Sequence, residues 1–414
     1  MTSVKRRTLL NGMAAGATLL TLPAITLADT LPGPLPGKTT PITTSEREAR
    51  IEQARRLMRA RGIRALIVEP GSSLIYFTGI QWWRSERVTA AVIPLEGDVV
   101  IVTPFFEAPS IRQTLNIPAE IRTWNEDENP LALIAGALRE RGAASGPVAI
   151  EETVRYFIVD GLKKALPSVS ILSGAPVVRG CRMHKSATEI ALMKRATDIT
   201  IASYRYVIPH VKPGMTPKQI GEMMDAATIA LGGSPEFTLI LTGEAAAYPH
   251  GSRAPQIVRE NDIVLMDCGC TVEGYQSDVS RTFVPGKATD RQRQVWNQVR
   301  QGQQVAFTAA KNGAPAGSVD DAVRRYYESL GYGPGYRLPG LSHRTGHGIG
   351  LDGHEPVNLV HGEMTKLEPG MCFSDEPGIY IPGEFGVRLE DCFHMTDAGP
   401  AWFSEPPDSI DHPA

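Results

Sequence analysis

The sequence predicts a smaller α/β domain over residues 45–180 followed by a larger α+β domain over residues 181–405. Two observations carry this. In the first span, short apolar runs at Ala65–Val68, Val88–Ile93, Val99–Val102, Val148–Ile150 and Val169–Leu172 alternate with helical runs at Leu131–Glu140 and Val154–Ala165, the order of an α/β unit. In the second, capped amphipathic helices are accompanied by strand-like runs that come in pairs across polar or Pro/Gly breaks, as antiparallel strands do. A length of 414 residues provides for two or three cores, and 42% hydrophobic with 21% charged residues is ordinary globular composition.

Residues 1–28 stand apart. Lys5-Arg6-Arg7 precede an alanine- and leucine-rich run ending at Ala24-Ile25-Thr26-Leu27-Ala28, the order of charged, apolar and small residues found in a cleavable export signal. The paired arginines before Thr8-Leu9-Leu10 are similar to a twin-arginine signal, a route for proteins already folded, so a periplasmic or secreted location is expected. A membrane anchor is the other reading; the run is short for a span and is interrupted by Asn11 and Pro23. Processing would leave no stable membrane span. Removing residues 1–28 deletes three cations and no anion, which takes the formal net charge from −3 to −6. A mildly acidic chain is a poor candidate for nucleic acid binding.

Residues 29–44, rich in Pro, Gly and Thr, read as a linker, and 406–414 as a short tail. Ser45 with Glu48 has the spacing of a capping box for a helix that runs to Gly62. Trp82-Trp83-Arg84 is an unusual string: the tryptophans pack at an interface, or with Arg84 reach the substrate of a neighbouring subunit.

The second domain opens with a capping box at Ser186-Ala187-Thr188-Glu189, followed by apolar residues at helical spacing. Thr216 with Pro217 and Gln219 caps a second helix, and Arg291–Asn312 suggests a third. Ile263–Phe283 reads as a β-hairpin. With Val272 and Glu273 at its tip, Asp267 falls opposite Asp278 on one face, about 5 Å away. Two such carboxylates repel unless a cation lies between them.

Three further ligand-type residues follow. His347 lies in the glycine-rich string HRTGHGIGLDGHEP, Glu376 ends the run MCFSDE before Pro377-Gly378, and Glu390 sits in VRLEDCF. Glu376 and Glu390 flank a Pro/Gly-containing connection, which suggests a strand pair presenting a carboxylate from each strand. Four carboxylates and one imidazole form a hard, oxygen-rich set suited to two divalent ions, Mn²⁺ first, with Co²⁺, Fe²⁺ or Zn²⁺ as alternatives. The five cysteines, Cys181, Cys268, Cys270, Cys372 and Cys392, are too scattered for a disulfide scaffold and read as small core residues.

The ordered set Asp267, Asp278, His347, Glu376 and Glu390, within MDCGCTVEGYQSDVSRTF, HRTGHGIGLDGHEP and DEPGIYIPGEFGVRLED, resembles the pita-bread metallopeptidases. Within them it is similar to the Xaa-Pro dipeptidase (prolidase) and aminopeptidase P group. The resemblance covers roughly residues 185–400, and 45–180 more loosely resembles the creatinase/prolidase N-terminal domain, which carries no metal ligands. It implies that Asp278 and Glu390 bridge two ions, that Asp267 completes one coordination shell, and that His347 and Glu376 complete the other. Glu376 is also expected to take a proton from the attacking water. His250 matches the position that steadies the tetrahedral oxyanion, His354 one that holds the substrate near the leaving group, and His343 a further pocket histidine. Arg388 shares a strand face with Glu390 by alternation, which favours orientation of carboxylates over a solvated charge. One departure lies upstream of Pro249-His250, where relatives commonly carry Asn in a Gly-x-Asn string and here Glu244 follows Gly243.

The function implied is hydrolysis of a peptide bond before proline, in a dipeptide or at a peptide N-terminus, by a homodimer. The alternative keeps the fold and changes the substrate to a small non-peptide amide or a compatible-solute-like compound, as hydrolase or lyase. Creatine-hydrolysing relatives lack the metal ligands, and the lyase branch carries Asp where Gly269 stands. A non-catalytic binding module would have lost ligands, and none of the five is missing.

Overall fold

The computed structural model describes residues 31–414; the expected export signal lies outside the described residues. Among these, no helix is long and apolar enough to cross a membrane. The expected linker is docked from Leu35 onward, its N–H bonded to the Leu231 carbonyl.

Helix α1 (Thr44–Arg59) is capped by Thr43, whose hydroxyl accepts from the Glu46 N–H. The cap therefore sits two residues before the expected Ser45–Glu48 box, and Glu46 turns to Arg50 and Ser186 instead. There follow β1 (Ala65–Val68), α2 (Ser72–Thr78), β2 (Ala90–Pro94), β3 (Val99–Pro104), α3 (Ala108–Thr114), β4 (Ala119–Trp124), α4 (Pro130–Glu140), β5 (Val148–Ile150), α5 (Tyr156–Ala165), β6 (Ile171–Ser173) and α6 (Ala175–Arg182). They form one sheet in the order β4-β3-β2-β1-β5-β6. Its central strands β1, β2 and β3 are buried on both faces, which is why they read as unbroken apolar runs. Helix α6 crosses the expected boundary at residue 180 and delivers Arg182 to the second domain.

The second domain places two helices before a set of antiparallel strands, twice over. The first set is α7 (Ala187–Val207), α8 (Pro217–Leu231), β7 (Ser234–Thr242), β8 (Val264–Val272), β9 (Tyr275–Gln276) and β10 (Val279–Phe283). The second is α9 (Asp290–Ala309), α10 (Gly317–Ser329), β11 (Gly346–Gly348), β12 (Glu355–Leu359), β13 (Cys372–Asp375), β14 (Gly378–Ile381), β15 (Phe385–Arg388), β16 (Asp391–Thr396) and β17 (Gly399–Trp402). The Ser186–Glu189 and Thr216–Gln219 capping boxes are formed, and Thr289–Gln292 makes a third. Helix α9 ends at Ala309 rather than Asn312, whose side chain instead donates to the Thr396 and Asp397 carbonyls. Beyond β17 the chain stays packed: Ile410 is buried and Arg300 donates to the Pro407 carbonyl.

The two strand sets meet at one point. Ser280 N–H donates to the Glu390 carbonyl at 3.3 Å, and Glu390 N–H to the Ser280 carbonyl at 3.1 Å. This bridge joins β10 to the turn between β15 and β16, so ligand candidates from both sets face the same space.

The hairpin differs from expectation. Its tip is Glu273-Gly274, with φ of 52° and 82°. Two positive-φ residues make a type I′ turn, and Gly274 adopts that conformation at little cost, so the turn closes one residue later than expected. Moving the tip by one residue moves the register by two: Asp267 faces Ser280, and Val279 faces Cys268. A two-residue shift keeps every side chain on its face, so Asp267 and Asp278 remain on one side as diagonal neighbours. All five cysteines are buried and free.

Candidate metal centre

Each ligand candidate is delivered by a strand or its end. Asp267 lies within β8 and Asp278 just before β10. His347 is the middle residue of β11, a strand that glycines allow in close: a Cβ at Gly346 would meet the Ser374 carbonyl oxygen at 2.1 Å. Strands β13 and β16 pair Asp375 with Asp391, which places Glu376 and Glu390 across from each other one step further out. This is the strand pair with two carboxylates that the sequence suggested.

The five side chains converge. Ligand atoms of Asp267, Asp278 and Glu390 lie within 4.8 Å of one another, as do those of His347, Glu376 and Glu390, and those of Asp278, His347 and His354. Asp278 and Glu390 thus each belong to the Asp267 side and to the His347 side. Burial, then the Asp267 and Glu376 carboxylates, push the Asp278 carboxyl far above the usual range. Burial and the Asp278 carboxylate do the same to Glu390. Burial likewise pushes Glu376 up to about 7, with Arg388 opposing. His347 donates from Nδ1 to the Gly348 carbonyl at 3.0 Å, which leaves the Nε2 lone pair facing Asp278 and Glu376 at 3.6 and 3.4 Å. Burial holds its pKa down at about 3, so the ring is neutral, the form that binds metal.

The other expected residues surround a cavity of about 450 Å³ lined by all five, together with His250, His343, His354 and Arg388. His354 is exposed in its wall and stacks on His347, ring centroids 3.8 Å apart. His343 donates from Nδ1 to the Arg344 carbonyl and accepts at Nε2 from the Tyr380 hydroxyl, both at 2.7 Å. Arg388 is fully engaged: it donates to Asp267 Oδ2 at 2.6 Å, Ser280 Oγ at 3.0 Å, Tyr380 Oη at 3.0 Å and the Pro249 carbonyl at 3.1 Å. The last contact tethers the segment that carries His250.

Four residues were missed by sequence reasoning. Ser280 donates to Glu390 Oε2 at 2.8 Å while accepting from Arg388; its place two residues after Asp278 was the available signal. Tyr380 links His343 to Arg388. Arg344 and Glu236 line the cavity. Glu244, the departure noted in the sequence, is exposed in a short 3-10 turn over Gly243–Ala247 and is not part of the cavity wall.

Five metal-type donors thus cluster on paired strands. The profile of Metallopeptidase family M24 matches residues 191–397, and that of the Creatinase/Prolidase N-terminal domain matches 50–184. The chain is a family M24 metallopeptidase. Its fold is the pita-bread fold of M24 preceded by a creatinase-like domain. It is 36% identical over 356 residues to an uncharacterised peptidase of Schizosaccharomyces pombe, covering 80% of this chain and 76% of that one. It is 33% identical over 342 residues to the Xaa-Pro dipeptidase of Lactobacillus helveticus, covering 79% and 89%. The crystal structure of dipeptidase PepE from Mycobacterium ulcerans superimposes with a TM-score of 0.81 at 30% identity, covering 89% of this chain and 98% of that one.

M24 membership implies divalent metal ions, and the residues fit them. Asp267 Oδ1 is buried without a hydrogen-bond partner among the described residues, next to three carboxyls that repel one another and an imidazole with its lone pair turned inward. Cations satisfy all of these at once.

Proposed function

We propose that this chain hydrolyses Xaa-Pro peptide bonds as a two-metal exopeptidase, with dipeptides as its preferred substrates. The observation that carries the dipeptide reading is the charge left over in the cavity wall. Once the metal set and the Arg388–Asp267 pair are set aside, the wall retains one anion, Glu236, and one cation, Arg344, whose one side-chain partner among the described residues is the Asn358 amide oxygen. Opposite charges in the wall of one small cavity suit the two ends of a zwitterionic dipeptide. Proline in the second position is supported by the similarity to the Lactobacillus Xaa-Pro dipeptidase. A bond to proline has no N–H, so peptidases that need that donor are poorly matched to it.

Asp267, Asp278, His347, Glu376 and Glu390 would hold the ions. When bound, two divalent ions supply an activated water and polarise the scissile carbonyl. Glu376 takes the proton of the attacking water on its carboxylate and returns it to the departing proline nitrogen. His250 and His354 donate to the substrate oxygen that gains charge and to the leaving side. Tyr380, held by Arg388, keeps the His343 ring fixed and neutral: burial and Arg388 hold that ring's pKa down at about 3.

Gly269 disfavours the lyase alternative, because a Cβ there would lie 2.3 Å from the Phe237 ring and from the Ser277 carbonyl oxygen. Manganese is the metal proposed first for this donor set. Export through residues 1–28 and a homodimer complete the reading; Arg6-Arg7→Lys-Lys should abolish export, and sedimentation should give twice the chain mass. The deciding experiment incubates metal-reconstituted protein with Ala-Pro, Ala-Ala and Ala-Pro-Ala-Ala. Cleavage of Ala-Pro in preference to both others is expected; cleavage of none of them would remove the peptidase reading.

A further inference from the structure

His354, exposed in the cavity wall, sits on a loop whose shape is set from outside the cavity. Residues 350–354 wrap around the carboxylate of the next residue, Glu355. Its Oε1 accepts from the Leu351 and Asp352 N–H groups at 3.0 and 3.2 Å. The wrap is tight, since a Cβ at Gly350 would lie 2.8 Å from that same oxygen. Glu355 is buried, and a buried carboxylate needs cations. Both come from the segment that joins the two domains: Lys185 Nζ lies 3.0 Å from Oε2, and Arg182 pairs with Oε1. Arg182 also reaches Asp352 Oδ2 at 2.7 Å, and Ser72, the first residue of α2, donates to the other Asp352 oxygen. Burial alone would raise the Glu355 carboxyl, but Lys185 and Arg182 outweigh it and hold it at about 2, so it is an anion at any working pH.

We infer that Arg182, through Glu355 and Asp352, is a positioning residue for His354, so that the N-terminal domain, which supplies no metal ligand candidate, fixes one wall of the catalytic cavity. The contacts run without a gap from Ser72 and Arg182 to the loop, and from the loop to the ring that stacks on His347. A loop with two glycines at positions 350 and 353 has little shape of its own. The charged anchor supplies it.

The kinetic test rests on the proposed Xaa-Pro activity; the structural test does not. Arg182→Gln should lower kcat on Ala-Pro about tenfold with KM and bound metal little changed, and Arg182→Lys should recover part of the loss. In a His354→Ala background the same substitution should change kcat by less than about twofold, because residues acting through one another are not additive. Asp352→Asn, on a half-exposed side chain, gives a milder form of the same result should Arg182→Gln fold poorly. A full Arg182 effect that persists in the His354→Ala background would overturn the inference. If the wild-type protein cleaves no Xaa-Pro peptide, the proposed function has failed, and the crystal structure of Arg182→Gln or Asp352→Asn decides the inference alone. Loss of the 3.8 Å His354–His347 stack would support it, and an unmoved ring would refute it.

Discussion

Arg388 Nη2 lies 2.6 Å from Asp267 Oδ2, the one direct guanidinium contact to the side chain of a ligand candidate among the described residues. The guanidinium is buried, and it sits beside four carboxylates whose mutual repulsion it relieves. Arg388→Gln should therefore destabilise the metal-free protein by roughly 3–5 kcal/mol, the cost of breaking a buried pair. Bound Mn²⁺ should restore part of this by taking over the charge. Thermal unfolding with and without Mn²⁺ measures it, and the stabilisation by metal should be larger in the variant than in wild type.

The metal-free protein should lose stability as pH rises from about 4.5 to about 7. Glu376 has its folded-state pKa raised from 4.5 to about 7 by burial. The native state therefore holds a proton that the unfolded state has released across that window. A raised carboxyl contributes stability that is complete below the unfolded value and is lost as pH rises through the folded value. Glu376→Gln should flatten this part of the pH profile. Unfolding in chelator at closely spaced pH values checks the slope.

His354→Ala should lower turnover of Ala-Pro at least about tenfold while leaving metal content unchanged; one donor to a developing charge is typically worth about 3 kcal/mol. Steady-state kinetics alongside metal analysis of the same preparation provides the measurement. Wild-type kinetics would remove the residue from the mechanism.

Arg344→Gln should raise KM for Ala-Pro by about one to two orders of magnitude, the worth of a charged hydrogen bond of roughly 1.5–3 kcal/mol. The amide Ala-Pro-NH₂, which lacks the carboxylate, should be cleaved equally by variant and wild type. Equal losses on both substrates would mean that Arg344 supports the cavity and does not read the substrate end.

The clustering of the five candidate ligands was legible because these residues carry chemistry that their neighbours lack. Capping boxes were legible because the donor and acceptor lie three residues apart in the chain. The hairpin register was not: a single residue of uncertainty at the Glu273-Gly274 tip becomes two in the pairing, and the alternation of faces is blind to a two-residue shift. Helices α2 and α3, seven residues each, were too short to show a period. The roles of Ser280, Tyr380 and Arg344 depend on contacts that no local spacing marks, from 14 positions between Arg344 and Asn358 to 108 between Arg388 and Ser280. The repetition of two helices followed by antiparallel strands is plain in space and unmarked in the sequence, since burial constrains pattern and volume more than identity.

The central claim is that Asp267, Asp278, His347, Glu376 and Glu390 grip two cations that work together. Chelated protein titrated with MnCl₂ while Ala-Pro cleavage is followed tests it most directly. Activity should stay low through the first equivalent and rise to its plateau with the second. Full activity at one equivalent, or in the presence of chelator, would contradict it.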